Sequence, residues 1–128
     1  MINTTTRPTY TYDRESDILY ISFAPGEKAT TAVELNENML LRFNYAEKRA
    51  VGLTLMDFSV LIQMTAFGPR QFLLLGLRNL EPDWQTVVIE LLTTSPVNQI
   101  LKLSAYATSP TENVPIAFVD KLPQALAA

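Results

Sequence analysis

The feature that most constrains the fold is a series of short segments between Thr9 and Met56 in which apolar and polar side chains alternate. A period of two residues is typical of a β-strand with one face in the core. The turns between the segments hold a few polar residues, too few for a crossover helix, so successive strands should run antiparallel. The sequence predicts an antiparallel meander of about five strands, at Thr9–Asp13, Ile18–Phe23, Thr31–Leu35, Met39–Asn44 and Val51–Met56.

Two of these strands carry further information. In Ile18–Phe23 the side chains of both faces are largely apolar, which predicts a strand in the interior of the sheet. Gly52 lies inside the last strand, where a glycine indicates either a bulge or a close approach by another element.

The second half of the chain is predicted to contain at least one helix, Pro82–Thr94. Proline suits its first position, and five apolar residues form one helical stripe. The stripe consists of Trp84, Val87, Val88, Leu91 and Leu92. Before this helix, Phe58–Gly76 has Arg70 as its only charge and a break at Gly68-Pro69, and no single period fits it.

Beyond the helix, the pattern supports two interpretations. Ser95-Pro96 is a typical N-cap and first position, and apolar residues after it share a helical face, which predicts a second short helix. The alternative is a strand over Leu101–Ala107, and the sequence does not decide between them. Val114–Val119 is predicted as a strand that Pro115 restricts to an edge or an arm.

These elements define the predicted class, which is α+β with an antiparallel sheet covered on one face by one or two helices. The length of 128 residues suits a single domain. Within it we expect a flexible arm over residues 1–8, the sheet over 9–57, a helix-containing half over 58–120 and a loose tail over 121–128.

The absence of histidine and cysteine excludes much common chemistry. Without histidine the chain lacks the usual general base and transition-metal ligand, and Ser–His catalysis cannot be built from it alone. Without cysteine it has no disulfide and no thiolate zinc site, which fits a reducing cytoplasm. We therefore predict no catalytic residue and no cofactor, favour a protein that is not an enzyme, and expect a cytoplasmic location.

The charge pattern argues against nucleic acid and membrane partners. The net charge is −3 and the basic residues are scattered, whereas nucleic-acid binders usually present a basic face. No apolar run reaches the roughly 20 residues that a membrane span needs. Aromatic side chains of the predicted sheet could stack on bases, but cross-strand packing is their usual role. They are Tyr10, Tyr12, Tyr20, Phe43 and Tyr45.

Asp13, Glu15 and Asp17 form the first candidate site. Alternate residues of an extended segment point to the same side, so three carboxylates there could hold Ca²⁺ or Mg²⁺. The spacing lacks the glycine and the distal glutamate of a calcium-binding loop. A solvated hairpin turn, in which the acids bond to local backbone N–H groups, is the favoured interpretation.

The apolar run over residues 58–77 is the second candidate. It carries so little charge that it must be buried, either in the core or against a partner, and a partner is favoured because the whole chain is rich in apolar residues. We predict a homo-oligomer, with a dimer as the first expectation, and a protein partner. The predicted interface residues are Phe58, Leu61, Ile62, Phe67, Phe72 and Leu74.

A motif in the first half carries a family resemblance. Its residues are Tyr12-Asp13, Glu15, Asp17, Leu19-Tyr20-Ile21 and, further on, Val51-Gly52-Leu53. Over about residues 10–59 the chain resembles the small bacterial domain of unknown function 2283, and the rest resembles an extension found in cyanobacterial members. The chain departs from the pattern at Thr54, where members usually carry glutamate.

The resemblance implies a role as a toxin partner, because members often lie beside genes for small toxins. The leading hypothesis is therefore a non-catalytic protein-interaction domain that acts as the antitoxin-like partner of a small toxin. The alternative is a metal- or small-ligand-binding protein that uses the turn with Asp13, Glu15 and Asp17.

Overall fold

The computed structural model describes the backbone of residues 8–108 and 113–120, and the side chains of these residues except 104–108, 113 and 114. The strands are β1 (Thr9–Asp13), β2 (Ile18–Ser22), β3 (Thr31–Asn36), β4 (Met39–Asn44), β5 (Arg49–Met56), β6 (Met64–Thr65), β7 (Gly68–Pro69), β8 (Phe72–Leu73), β9 (Leu101–Thr108) and β10 (Asn113–Val119). The helices are α1 (Phe58–Leu61) and α2 (Pro82–Leu92), with 3-10 turns at Leu75–Asn79 and Val97–Gln99. The class is α+β, as the sequence predicts.

Strands β1 to β5 form one antiparallel sheet with the order β1-β2-β5-β4-β3. All five predicted strands are present, and β2 lies inside the sheet as expected. The simple meander is corrected at one point, because β5 and not β3 pairs with β2. The loop between Ser22 and Thr31 is long enough to carry the chain to the far edge, and two hairpins then bring β5 back.

The two faces of this sheet differ in burial. On one face, alternate side chains of β2 to β5 are almost completely buried, and they form the main core. On the opposite face, which we call the outer face, the corresponding side chains are mostly half-buried or exposed. Those of the three inner strands include Ile18, Tyr20, Leu40, Arg42, Thr54 and Met56.

Gly52 lies beside a bulge, and both sequence interpretations of it are correct. The register shifts between Arg42 and Phe43, which pair with Gly52 and Ala50. A Cβ on Gly52 would lie 2.7 Å from Nη2 of Arg42 and 3.0 Å from the Ile21 carbonyl oxygen. The glycine therefore lets the Arg42 guanidinium lie across the sheet.

Helix α2 contributes its apolar stripe to the same core. Val87, Val88, Leu91 and Leu92 are buried, as the stripe predicts. The Trp84 ring lies 6.1 Å from the Phe43 ring and 4.3 Å from the Tyr45 ring, centroid to centroid, so the helix contacts β4 and the turn after it. That the helices cover one face of the sheet stays a prediction.

A second sheet of three strands, in the order β8-β10-β9, settles the alternative left open by the sequence. Residues Leu101–Thr108 form a strand, and the predicted second helix is reduced to the 3-10 turn Val97–Gln99. The prediction of an edge strand near Val114 was wrong, because β10 pairs on both sides. Pro115 is tolerated in this strand. Its carbonyl accepts a hydrogen bond from the Leu74 N–H, so the N–H that proline lacks would lie on the β8 side, at the end of the two-residue β8 ladder.

The region from Phe58 to Leu80 is built from very short elements. Strands β6 and β7 pair over two residues each, β8 is equally short, and a 3-10 turn follows. Such elements are too short to show a periodic pattern of apolar residues. A Cβ on Gly76 would lie 1.8 Å from the Glu34 carbonyl oxygen, so the 3-10 turn lies directly against the edge of β3. Except for Pro8, the predicted arm over 1–8 and tail over 121–128 lie outside the described residues.

Candidate functional site

Asp17 is the most connected residue of the acidic turn. Its Oδ1 accepts hydrogen bonds from the Tyr12 hydroxyl at 2.7 Å and from the Ser59 N–H at 3.0 Å, and its Oδ2 accepts one from the Ser59 hydroxyl at 2.6 Å. These bonds favour the charged form, so the Ser59 hydroxyl, followed by that of Tyr12, lowers the pKa of Asp17. The carboxylate thereby joins the first hairpin to the start of α1, where Phe58 donates its N–H to the Asp17 carbonyl at 2.9 Å.

Asp13 and Asp57 also accept hydrogen bonds in this region. Asp17 and Asp57 have left-handed backbone conformations, with φ of 57° and 55°, which aspartate adopts more readily than most residues. Asn38 donates to the Asp57 carboxylate at 2.9 Å. Asp13 accepts a hydrogen bond from the Glu15 N–H at 3.1 Å, which forms a local turn. The acids of the first hairpin therefore have a structural use.

The metal hypothesis finds no support in this geometry. Across residues 8–108 and 113–120, no group of three or more His, Cys, Asp or Glu residues could hold a metal ion. Asp13, Glu15 and Asp17 thus do not form such a group. Two of the three carboxylates accept hydrogen bonds instead, Asp13 from the Glu15 N–H and Asp17 from the Ser59 hydroxyl. This arrangement favours the interpretation as a hydrogen-bonded turn.

The predicted interface residues are divided between the core and the surface. Three of them are corrected, because their side chains are buried within this chain and cannot contact a partner; they are Phe58, Leu61 and Leu74. Ile62 and Phe72 are partly buried, and Phe67 is 98% exposed. The interface prediction therefore applies only to the last three.

The sequence did not identify the other exposed apolar residues individually. Among the described residues, six large apolar side chains are exposed, and five of them lie in residues 60–75, which we call the apolar segment. They are Val60, Met64, Phe67, Leu73 and Leu75. The signal that could have found them is the low charge of this stretch, although no periodicity separates its exposed side chains from its buried ones.

The tip of the apolar segment is an ordered hairpin. The Thr65 hydroxyl donates to the Gly68 carbonyl at 2.8 Å and accepts from the Phe67 N–H at 3.1 Å. Gly68 has a φ of 112°, which other residues rarely adopt, and this lets the chain reverse over a short distance. Arg70 bonds to the Gln63 side chain at 2.9 Å. The hairpin therefore presents Phe67 to solvent from a fixed turn.

A cleft of about 690 Å³ lies beside this segment, between the edge of β3 and residues 72–80. Leu73 and Leu75 line it from the apolar segment, and Glu34 and Glu37 line it from the sheet side. Within the described part of the chain, neither glutamate forms an ion pair. The cleft combines apolar residues with two acidic residues, Glu34 and Glu37, and one basic residue, Arg78.

The fold defines an α+β protein built on a five-stranded antiparallel sheet. Residues 9–59 match the model of a family described as a protein of unknown function (DUF2283), which confirms the resemblance seen in the sequence. No curated protein and no solved structure matches the chain. No helix in the described ranges is long and apolar enough to cross a membrane. The match ends at Ser59, the residue that Asp17 holds, so the apolar segment lies outside the matched region.

Proposed function

We propose that this protein is a non-catalytic interaction domain whose contact surface is the apolar segment. The observation that carries the proposal is the exposure of large apolar side chains there, above all Met64 at 73% and Phe67 at 98%. Single exposed apolar residues are normal on a protein surface, whereas a concentration of them indicates a binding site. Phenylalanine and methionine are also enriched at protein interfaces.

The order of the hairpin supports this proposal. The two hydrogen bonds of the Thr65 hydroxyl, one donated and one accepted, fix the turn that presents Phe67, so little conformational entropy has to be lost when a partner binds. Leu73 and Leu75 connect the segment to the cleft with Glu34 and Glu37. The partner that fits this surface has an apolar anchor and a basic group beside it.

The specific partner class that we propose is a small toxin, which makes this chain antitoxin-like. The ground for this class is the resemblance over residues 9–59 to a family whose members often lie beside toxin genes, and the cleft, where Glu34 and Glu37 outnumber Arg78, suits a basic partner. Co-expression with the product of the adjacent gene tests it. We expect growth inhibition by that product alone and recovery with the wild-type chain. An adjacent product without toxicity would reject the antitoxin role and leave the interaction role to the next experiment.

Affinity capture with the tagged full chain tests the interaction role itself. We expect the wild type to recover one protein in near-stoichiometric amount from the source cells. The Met64→Ser/Phe67→Ser variant should recover at least about tenfold less, since loss of two anchors costs more than about 1.4 kcal/mol of binding energy.

The matched control for that experiment is Glu15→Ser/Lys28→Ser, which truncates two exposed side chains outside the apolar segment. This control should recover the same protein as the wild type, and both variants should have the wild-type unfolding midpoint. Equal recovery by the Met64→Ser/Phe67→Ser variant and the wild type would overturn the proposed surface.

A further inference from the structure

Arg42 on the outer face of the sheet has an unsatisfied hydrogen-bonding group. Its Nε is buried and has no hydrogen-bond partner in the described structure. A buried donor without an acceptor is unfavourable, because it has lost its hydrogen bonds to water and gained none in the protein. The guanidinium lies across Gly52, whose lack of a Cβ makes room for it. The sheet therefore has a cationic side chain fixed on its outer face, and it lacks an acceptor there.

On the three inner strands, the outer face is also less polar than a solvent-facing sheet usually is. An antiparallel sheet with one solvated face typically alternates apolar residues inside with polar residues outside. Here Tyr20 of β2 pairs with Thr54 of β5, which pairs with Leu40 of β4. Thr54 is only 8% exposed and Tyr20 is 41% exposed. Thr54 is covered within this chain, so Tyr20 and Leu40 are the residues of this row that can contact another protein surface.

A carboxylate that could pair with the accessible part of the Arg42 guanidinium lies on the same face. Glu34 is exposed on β3 and pairs with Leu40, while Arg42 pairs with Ala32, so the two charged residues are diagonal neighbours. No ion pair joins them within 4.0 Å in the described structure. A face that carries one cation and one anion side by side is complementary to itself under two-fold rotation.

We propose that a second copy of this chain packs on the outer face, with each Arg42 paired to the partner's Glu34. A two-fold axis that lies in the interface plane and passes between Arg42 and Glu34 forms both pairs at once. Face-to-face sheets are about 10 Å apart, a distance that an arginine and a glutamate can bridge between them. Leu40, which lies next to both charges, supplies apolar contact at the centre of the interface.

Charge reversal tests the pair directly. The measurement is the mass of the purified full chain by light scattering over a concentration series, with 14.3 kDa expected for a monomer. We expect a dimer for the wild type, and at least about a tenfold weaker association for Arg42→Glu or Glu34→Arg, because like charges then meet across the interface. The double variant Arg42→Glu/Glu34→Arg should recover the wild-type dissociation constant to within a few-fold.

Two further variants keep the test decisive. Arg42→Met removes the unsatisfied donor without adding a charge, so it should fold as stably as the wild type and still weaken the dimer. Met64→Ser/Phe67→Ser should remain a dimer, which separates this proposal from the proposed function. Three results would overturn the outer-face dimer. The first is a monomeric wild type, and the second is a double charge variant that stays monomeric. The third is a dimer that only the Met64→Ser/Phe67→Ser change dissociates.

Discussion

The sheet half, residues 9–59, and the apolar segment, residues 60–75, differ in the length of their strands and in the burial of their apolar side chains. In the sheet half the strands are five to eight residues long, their core side chains are buried, and Asp17 holds the end of the unit by bonding to Ser59. In the apolar segment the strands are two residues long and large apolar side chains remain exposed. The difference indicates that stability comes mainly from the first region, and it is the basis of our proposal that the second region serves binding.

The largest expected effect compares the same substitution in the two regions. Phe43 is completely buried, so Phe43→Ala should lower the free energy of unfolding by about 3–5 kcal/mol. Phe67 is exposed, so Phe67→Ala should change it by no more than about 0.5 kcal/mol. Urea unfolding of both variants measures the difference. Similar losses would mean that the apolar segment is part of the stabilising core.

The contact between the sheet half and the 3-10 turn Leu75–Asn79, which begins at the end of the apolar segment, is tested next, at Gly76. Gly76→Ala should cost about 3 kcal/mol, because its Cβ would overlap the Glu34 carbonyl on the rigid edge of β3. Gly26→Ala is the control, since it has free space and a φ of 86° and should cost only about 1–2 kcal/mol. If the two variants unfold at the same urea concentration, the 3-10 turn does not rest on β3.

The hydrogen bonds of Asp17 should appear in the pH dependence of stability. The folded-state pKa of Asp17 is lowered, so its contribution is complete above its unfolded pKa of about 3.9 and is lost as the pH falls through the lower folded value. Asp17→Asn should therefore destabilise the chain at pH 7 and flatten the stability curve below about pH 4. Acid titration by circular dichroism, with Glu15→Gln as the control, measures this. An unchanged slope for Asp17→Asn would exclude the link to Ser59.

The smallest expected effect is the coupling between Gly52 and Arg42. Gly52→Ala should destabilise the sheet because the new Cβ would meet the guanidinium, and removing that group with Arg42→Ala should relieve part of the loss. A double-mutant cycle should give a coupling of about 1 kcal/mol. Additive losses would show that the Ile21 carbonyl, and not Arg42, requires glycine at this position.

The sequence predicts the sheet half well because its signals are local. Alternation located β1 to β5, and the short polar turns around Asp13 and Asn38 marked the hairpins. The position of β5 next to β2 was not predicted, because strand order depends on pairing between residues far apart in the chain. The link from Asp17 to Ser59 spans 42 residues and leaves no local pattern for the same reason.

The second half was harder to predict because nonlocal contacts decide its structure. Val97 and Leu101 lie in a pattern that suits a helix, yet pairing with β10 makes Leu101–Thr108 a strand. The sequence located the candidate binding surface only to the run 58–77, since exposed Phe67 and buried Leu74 differ in no sequence property that reports burial. The cleft beside β3 requires the backbone of Gly76 to reach Glu34, and no sequence signal indicates that approach.

Hydrogen–deuterium exchange of the full chain, free and saturated with the captured partner, tests the division between the two regions most directly. The free chain should show slow exchange in β2, β4 and β5 and fast exchange over residues 64–73. On binding, new protection should appear within residues 60–75, while the three inner strands stay unchanged. New protection confined to residues 9–59, with the exchange of 60–75 unaltered, would contradict the assignment of binding to the apolar segment.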